Sequence, residues 1–238
     1  MKTSLRDRVI VITGASRGIG RATALELAAD APRLALLGRD RDALAQVASA
    51  ARARGAEARS YQGDLRDLAR VSAMAAEVLR DFGQVDVLIN NAAVGAYARF
   101  LDLSPAEWRR ELDVNVIGLV AITQALLPSM LERQTGHIVM VGSVQGRQAT
   151  ATSSAYSATK FALRGLTQAL ALDVGPAGVR VSLLSPGSVE TDFDGFPGDL
   201  KPNAMLPEDV ALAIRALLES GGRAHMSDVT LLPFKERD

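Results

Sequence analysis

The chain has 238 residues, of which 48% are hydrophobic and 23% are charged, a composition that is typical of globular proteins and excludes a disordered chain or a collagen. Its 27 basic residues balance 27 acidic residues, and a neutral chain has no bulk attraction to nucleic acid or anionic lipid, so neither partner is expected. The sequence contains no cysteine, which excludes disulfides, thiolate nucleophiles and cysteine-based zinc sites.

Seven short apolar segments, several of them bounded by glycine, predict the strands of a sheet. Most of them are apolar throughout and do not alternate with polar residues, which indicates a sheet that is buried on both faces. In chain order the predicted strands are residues 9–13, 34–37, 58–62, 85–89, 137–141, 179–184 and 229–232.

Longer segments with helical spacing separate these strands. Strands that alternate with helices predict right-handed crossovers and a parallel sheet, so the expected fold class is α/β, a single-domain, doubly wound Rossmann sheet over residues 1–238. The irregular stretch at 187–206 is rich in Gly, Pro and Asp and is predicted to be a substrate loop. The predicted helices are residues 19–29, 41–54, 67–82, 104–131, 154–174 and 207–219.

No targeting segment, membrane helix or metal site is predicted. Residues 9–13 are too short for the apolar core of a signal peptide, and no apolar run approaches the roughly 18 residues that a membrane helix needs. His137 and His225 are far apart in sequence, so a histidine metal site is not expected. We therefore expect a cytoplasmic protein without a metal.

A glycine-rich turn lies between the first strand and the first helix, in the sequence Thr-Gly-Ala-Ser-Arg-Gly-Ile-Gly at 13–20. Glycine lets backbone N–H groups approach an anion closely, and the N-terminus of a helix adds partial positive charge. The order of strand, turn and helix favours a pyrophosphate site over a plain connecting turn. Its candidate residues are Gly14, Ser16, Arg17, Gly18, Ile19 and Gly20.

The end of the second strand predicts which dinucleotide binds. An NAD enzyme places a carboxylate there, on the ribose 2′-hydroxyl. Here Arg39 follows the strand, and a guanidinium forms forked, charge-assisted hydrogen bonds with a 2′-phosphate. Arg17 could join it, whereas Asp40 keeps NAD(H) as an alternative. The sequence therefore favours NADP(H), unless both arginines are simply solvated surface residues.

One tyrosine and one lysine have the spacing of an acid–base pair. Tyr156 and Lys160 are four residues apart in a predicted helix, so they share one face. A nearby cation favours phenolate, and we expect it to lower the tyrosine pKa from about 10. The chain has only four lysines among its 27 basic residues, which argues against a chance pairing of a surface lysine with a core tyrosine.

Polar side chains at the ends of two other strands and inside one helix are further candidates for the site. Ser143 ends the fifth strand, where its hydroxyl can donate to a substrate carbonyl or simply form a turn. Asn115 stands inside a predicted helix, where asparagine is unfavourable and often marks a bend or a bound water. Asn90 and Asn91 close the fourth strand and could contact a cofactor.

Together these motifs resemble the classical short-chain dehydrogenase/reductase family, in family order and across nearly the whole chain. The resemblance implies that Tyr156 protonates a carbonyl oxygen or takes the proton back, that Lys160 tunes it, and that Ser143 polarises the carbonyl. Asn115 would hold a water in the proton relay to Lys160. The matching residues are 13–20, Asp64, 90–92, Asn115, Ser143, Tyr156, Lys160, Pro186, Gly187 and Thr191.

The resemblance also implies how the cofactor is bound. Asp64 would border the adenine, Asn91 would lie under the cofactor with Asn90, and Thr191 would bond the nicotinamide carboxamide. The implied cofactor-binding residues are Gly14, Ser16, Arg17, Gly18, Ile19, Gly20, Arg39, Asp64, Leu65, Asn91, Ala92, Tyr156, Lys160, Pro186, Gly187, Val189 and Thr191.

The expected function is an NADP(H)-dependent oxidoreductase that interconverts a small-molecule carbonyl, such as a ketone, aldehyde or 3-oxoacyl group, and its alcohol. An NAD-dependent alcohol dehydrogenase, a nucleotide-sugar epimerase or dehydratase, and a non-catalytic nucleotide sensor remain alternatives. A homodimer or homotetramer is expected, although the chain lacks the family's common Gly-Gly near its last strand. Candidates to face substrate, or simply to pack, are Val94, Tyr97, Gln145, Phe193 and Phe196.

Overall fold

The computed structural model describes residues 3–191, 193, 203–221 and 224–234. Its centre is a sheet of seven strands in the order β3-β2-β1-β4-β5-β6-β7, and every described pair of neighbouring strands is parallel. The strands are β1 Val9–Thr13, β2 Arg33–Gly38, β3 Glu57–Gln62, β4 Val87–Asn90, β5 Gly136–Val141, β6 Val179–Pro186 and β7 Asp228–Leu231.

Helices cover both faces of this sheet. On one face α1, α2 and α7 pack against alternate strand residues such as Ile10 and Ile12, and on the other face α3, α5 and α6 pack against Val9 and Val11. Both sets of β1 side chains are fully buried, as their uniform hydrophobicity requires. The helices are α1 Gly18–Leu27, α2 Arg41–Ala53, α3 Leu68–Phe82, α4 Pro105–Leu112, α5 Leu119–Glu132, α6 Ser154–Val174 and α7 Pro207–Glu219.

Short polar side chains fix where several helices begin. Asp40 accepts a hydrogen bond from the backbone N–H of Ala43 at 3.0 Å and caps α2. Ser104 and Glu107 form a reciprocal capping box at the start of α4. Each cap satisfies an N–H group that has no partner inside its helix and is worth about 1 kcal/mol.

A π-helical turn, Asp113–Gly118, joins α4 to α5 and makes one continuous helix, Pro105–Glu132. By length and composition alone this helix could cross a membrane, which differs from the expectation that no apolar run would qualify. The side chains of Leu119, Ile122 and Leu126 lie fully buried against the sheet. A buried core helix of an α/β fold can have the same length and composition.

The strand order places a topological switch point between β1 and β4. The connections that follow these two neighbouring strands run to opposite faces of the sheet, so a crevice opens outside the carboxyl ends of the strands. Ligands bind in this crevice in doubly wound folds. The loop predicted at 187–206 leaves β6 at the same edge. Of this loop only 187–191, 193 and 203–206 lie within the described residues.

Candidate active site

A cleft of about 770 Å³ lies at this carboxyl edge of the sheet. Two of the predicted site residues, Gly20 and Asn115, do not line it and lie behind its wall. The predicted residues that do line it are Gly14, Ser16, Arg17, Gly18, Ile19, Arg39, Asp64, Leu65, Asn91, Ala92, Ser143, Tyr156, Lys160, Pro186, Gly187, Val189 and Thr191.

The glycine-rich turn has no room for side chains. Gly14 and Gly18 have φ values of +66° and +52°, in the left-handed region that favours glycine. A Cβ on Gly14 would lie 2.9 Å from the Cα of Ala92, and a Cβ on Gly20 would overlap the carbonyl of Gly14. This open backbone at the start of α1 fits the diphosphate of a dinucleotide.

Asn91 holds that turn in place. Its side-chain amide donates to the carbonyl oxygens of Thr13 at 2.9 Å and Gly14 at 3.2 Å, and its backbone N–H donates to the Thr13 hydroxyl at 3.0 Å. The side chain of its neighbour Asn90 is buried and donates to the Thr123 hydroxyl at 2.8 Å. Both asparagines therefore tie β4 to its neighbours, and only Asn91 lines the cleft.

Charged residues line the far end of the cleft, beyond β2. Arg17 and Arg39 are exposed there, and Asp40 is engaged as the cap of α2. Asp64 forms a 2.7 Å ion pair with Arg66, which holds the pKa of this carboxyl below its usual value, with a further contribution from Arg39. A positive region thus borders the place where the adenosine end of a dinucleotide would lie.

Ser143, Tyr156 and Lys160 meet at the other end. Ser143 follows β5, and its hydroxyl is hydrogen-bonded to that of Tyr156 on α6. The backbone N–H of Gln145 donates to the Ser143 oxygen at 3.1 Å, so the serine proton remains available for donation. The amine of Lys160 donates to the carbonyl of Val141 at 3.0 Å.

The expected lowering of the tyrosine pKa is not what the structure shows. Burial raises the pKa of Tyr156 above its usual value, electrostatic interactions with the ionisable groups of Tyr97 and Glu111 raise it further, and the hydrogen bond from Ser143 opposes this only in part. The Lys160 amine lies 5.4 Å from the centre of the tyrosine ring, and burial lowers its own pKa to about 8. Desolvation of the charged forms outweighs the attraction that the i, i+4 spacing suggested.

Asn115 does mark an irregularity in its helix, since it lies in the π-helical turn. Its side chain accepts from the backbone N–H of Val94 and donates to the carbonyl of Val94, both at 2.8 Å, and also donates to the Thr159 hydroxyl at 3.1 Å. Both the oxygen and the nitrogen of the amide are thus engaged with the protein, and the implied water relay stays a prediction.

Three aromatic rings, one of them that of Tyr156, pack together at this end of the cleft. The ring centres of Tyr97 and Phe193 lie 5.7 and 5.5 Å from that of Tyr156 and 6.5 Å from each other. They pack on Gly95, where an added Cβ would lie 2.7 Å from the Phe193 ring. Val94 and Gln145 also line the cleft, whereas Phe196 lies outside the described residues.

Sequence reasoning missed one buried acid. Glu111 on α4 is only 1% exposed, and one of its carboxylate oxygens accepts a hydrogen bond from the backbone N–H of Ala96 at 2.6 Å. Burial raises its pKa to about 7, against a smaller effect of that hydrogen bond. Its position one helical turn before Asn115 was the only available signal. Within the described residues no cluster of three His, Asp or Glu side chains could hold a metal ion.

Comparisons with known proteins agree with this geometry. The sequence model of a family described as short chain dehydrogenase matches residues 8–197. An uncharacterized oxidoreductase of Staphylococcus saprophyticus is 33% identical over 230 residues, which cover 96% of this chain and 98% of that protein.

Two solved structures share the whole fold. An alcohol dehydrogenase from the archaeon Thermococcus sibiricus, complexed with 5-hydroxy-NADP, has a TM-score of 0.90 and 32% identity, covering 97% of this chain and 98% of that chain. An NAD⁺-bound xylitol dehydrogenase has a TM-score of 0.85 and 28% identity, covering 96% of this chain and 98% of that chain.

The parallel sheet, the glycine-rich turn and the matched relatives define an oxidoreductase with a Rossmann fold. More narrowly, the chain belongs to the short-chain dehydrogenase/reductase family.

Proposed function

We propose that this protein is an NADP(H)-dependent oxidoreductase that interconverts a ketone, aldehyde or 3-oxoacyl group and the corresponding alcohol. One observation carries the proposal: a single cleft has two arginines at one end and Ser143, Tyr156 and Lys160 at the other. A dinucleotide that extends from one end to the other would bring its nicotinamide beside the Tyr156 hydroxyl.

NADP(H) is favoured over NAD(H) by the charges at the adenosine end. Arg17 and Arg39 can pair with a 2′-phosphate, whereas the carboxylate of Asp40 already accepts a hydrogen bond from its own helix. The Thermococcus sibiricus structure contains an NADP derivative, which supports the same choice. NAD(H) remains the second candidate, because the similar xylitol dehydrogenase is bound to NAD⁺.

Tyr156 is the proposed general acid and base. A bound nicotinamide supplies or accepts the hydride. During reduction Tyr156 donates its proton to the carbonyl oxygen, and Ser143 donates a hydrogen bond to the same atom. The high pKa of the buried tyrosine keeps it protonated until then, and the Lys160 cation stabilises the phenolate that forms. The residues Asn91, Pro186, Gly187, Val189 and Thr191 are proposed to position the cofactor.

The direct test is oxidation of NADPH and of NADH at 340 nm (the absorbance of the reduced nicotinamide) against a panel of ketones, aldehydes and 3-oxoacyl thioesters. We expect turnover of at least one carbonyl, with kcat/KM higher for NADPH. Tightly bound NAD after purification would instead favour an epimerase or dehydratase, and binding of NADPH without turnover of any carbonyl would favour a nucleotide sensor.

We further propose that the protein works in the cytoplasm as a homodimer or homotetramer, on a small molecule and without nucleic acid or membrane. Large apolar side chains exposed on the two longest helical segments support self-association: Leu112, Ile117, Phe161 and Leu172. Light scattering after size-exclusion chromatography tests it, and a mass near 25 kDa at all concentrations would refute it.

A further inference from the structure

One buried acid beside the proposed catalytic residues has no role in the mechanism above. Glu111 is 1% exposed, and its second carboxylate oxygen has no hydrogen-bond partner among the residues that the structure describes. A buried carboxylate oxygen without a hydrogen-bond partner is unfavourable for folding, so the presence of Glu111 at this position calls for a functional reason.

Glu111 and Asn115 together hold the segment that follows β4. The two side chains are one helical turn apart and bind residues that are two apart in the segment, Asn115 on Val94 and Glu111 on Ala96. The next residue is Tyr97, whose ring packs 5.7 Å from the ring of Tyr156. The hydrogen bond of Glu111 to Ala96 therefore fixes the backbone from which Tyr97 reaches the catalytic tyrosine.

The charge of Glu111 also acts on the catalytic pair. A negative charge at this place raises the pKa of Lys160, favouring the ammonium form, and raises the pKa of the Tyr156 phenol. In a buried site such interactions are weakly screened. The titratable groups that face Glu111 are Glu107 and Arg110 on its own helix, Tyr97 on the segment, and Tyr156 and Lys160 on α6.

We propose that Glu111 is a positioning residue for the reaction. It holds residues 94–97 so that Tyr97 packs against Tyr156, and its negative charge keeps Lys160 protonated. The inference rests on the proposed function and adds to it a control of the pH range over which the enzyme works. As the pH rises through 7, Glu111 loses its proton, and Lys160 then keeps its own proton to higher pH.

Two substitutions separate the hydrogen bond from the charge. Glu111→Gln keeps an oxygen that can accept from Ala96 and removes the charge, so we expect an unchanged KM and a basic limb of the kcat profile that moves about one pH unit lower. Glu111→Leu removes both, so we expect KM for the carbonyl to rise about tenfold as well, the size that loss of one anchoring hydrogen bond gives.

Glu132→Gln, an exposed carboxyl at the other end of the same continuous helix, is the matched control and should change neither quantity. An unchanged pH profile in Glu111→Gln, with wild-type turnover measurable, would overturn the inference and leave the proposed function standing. Circular dichroism establishes whether Glu111→Leu is folded, and the Gln variant decides the matter if it is not.

A measurement without turnover keeps the inference testable even if no carbonyl is reduced. Urea unfolding of the wild type, Glu111→Gln, Lys160→Met and the double variant at pH 8 forms a double-mutant cycle. We expect the two single effects on the unfolding constant not to multiply, because the negative charge of Glu111 favours the ammonium form of Lys160 and either substitution removes this interaction. Multiplicative effects would show that the two residues are not coupled and would overturn the inference.

Discussion

Replacing Glu111 by glutamine should change how the stability of the protein depends on pH. The pKa of this carboxyl is about 7 in the folded protein, against 4.5 for an ordinary glutamate. Between these values the unfolded chain is ionised at Glu111 while the native protein keeps the proton. The native state therefore binds more protons, and the free energy of unfolding falls as the pH rises through this window.

The size of the effect follows from the two pKa values. They differ by about 2.5 pH units, and each unit corresponds to about 1.36 kcal/mol, so the wild type should lose about 3 kcal/mol relative to Glu111→Gln between pH 4.5 and pH 7. Below pH 4.5 the difference between the two proteins should be constant, and above pH 7 it should change only through Lys160, whose pKa Glu111 raises. Groups that Glu111 does not influence contribute equally to both proteins and cancel in the difference.

Urea unfolding followed by circular dichroism, at half-unit steps from pH 4 to pH 8, measures this difference. A flat difference across the window would refute the assignment of a raised pKa and with it the reasoning on the charge of Glu111. Glu107→Gln is the matched control on the same helix. The contacts of Glu107 with Ser104 lower its pKa, so its difference should be flat from pH 4.5 to pH 7 and should slope in the opposite direction only below pH 4.5.

Four further predictions concern the cleft and the core. Tyr156→Phe should reduce kcat by about a hundredfold or more while NADPH still binds, as fluorescence titration would show, and near-normal turnover would exclude the proposed acid. Arg39→Asp should raise the ratio of kcat/KM for NADH to that for NADPH, and an unchanged ratio would rule out the phosphate contact. Gly95→Ala should raise KM for the carbonyl without weakening NADPH binding, because the added Cβ would displace the two aromatic rings that pack there; steady-state kinetics would detect it, and an unchanged KM would contradict it. Burial lowers the pKa of His137 to about 3, so below pH 6.5 the unfolded chain binds a proton at this residue and the native protein does not. His137→Gln should therefore lose less stability than the wild type between pH 6.5 and pH 4. Equal losses in urea unfolding would disprove this.

Most of the fold could be predicted from the sequence because its strands are apolar throughout and its helices are clearly bounded. The predicted bounds of β1, α6 and α7 coincide with the observed ones. The expected α/β class, the parallel sheet and the family are confirmed. Where the bounds differ, as at β6, the sequence reading stopped before a proline that the structure includes in the strand.

The site could be predicted only where a motif is local. The glycine-rich turn and the pair of Tyr156 and Lys160 are spacings within one segment, and the structure brings them to one cleft. Glu111 and Ala96 are 15 residues apart and come into contact only in the folded protein, so no local sequence pattern predicts their hydrogen bond. The pKa of Tyr156 depends on burial, which the i, i+4 spacing does not report.

The strand order also has a consequence for how the chain is made. Because β1 pairs with β2 and β4, and β2 pairs with β3, the first ninety residues contain four adjacent strands of the seven-stranded sheet. A growing chain can assemble this half on the ribosome while β5 is still being translated. The later strands can then add in sequence, since β5 pairs with β4, β6 with β5 and β7 with β6.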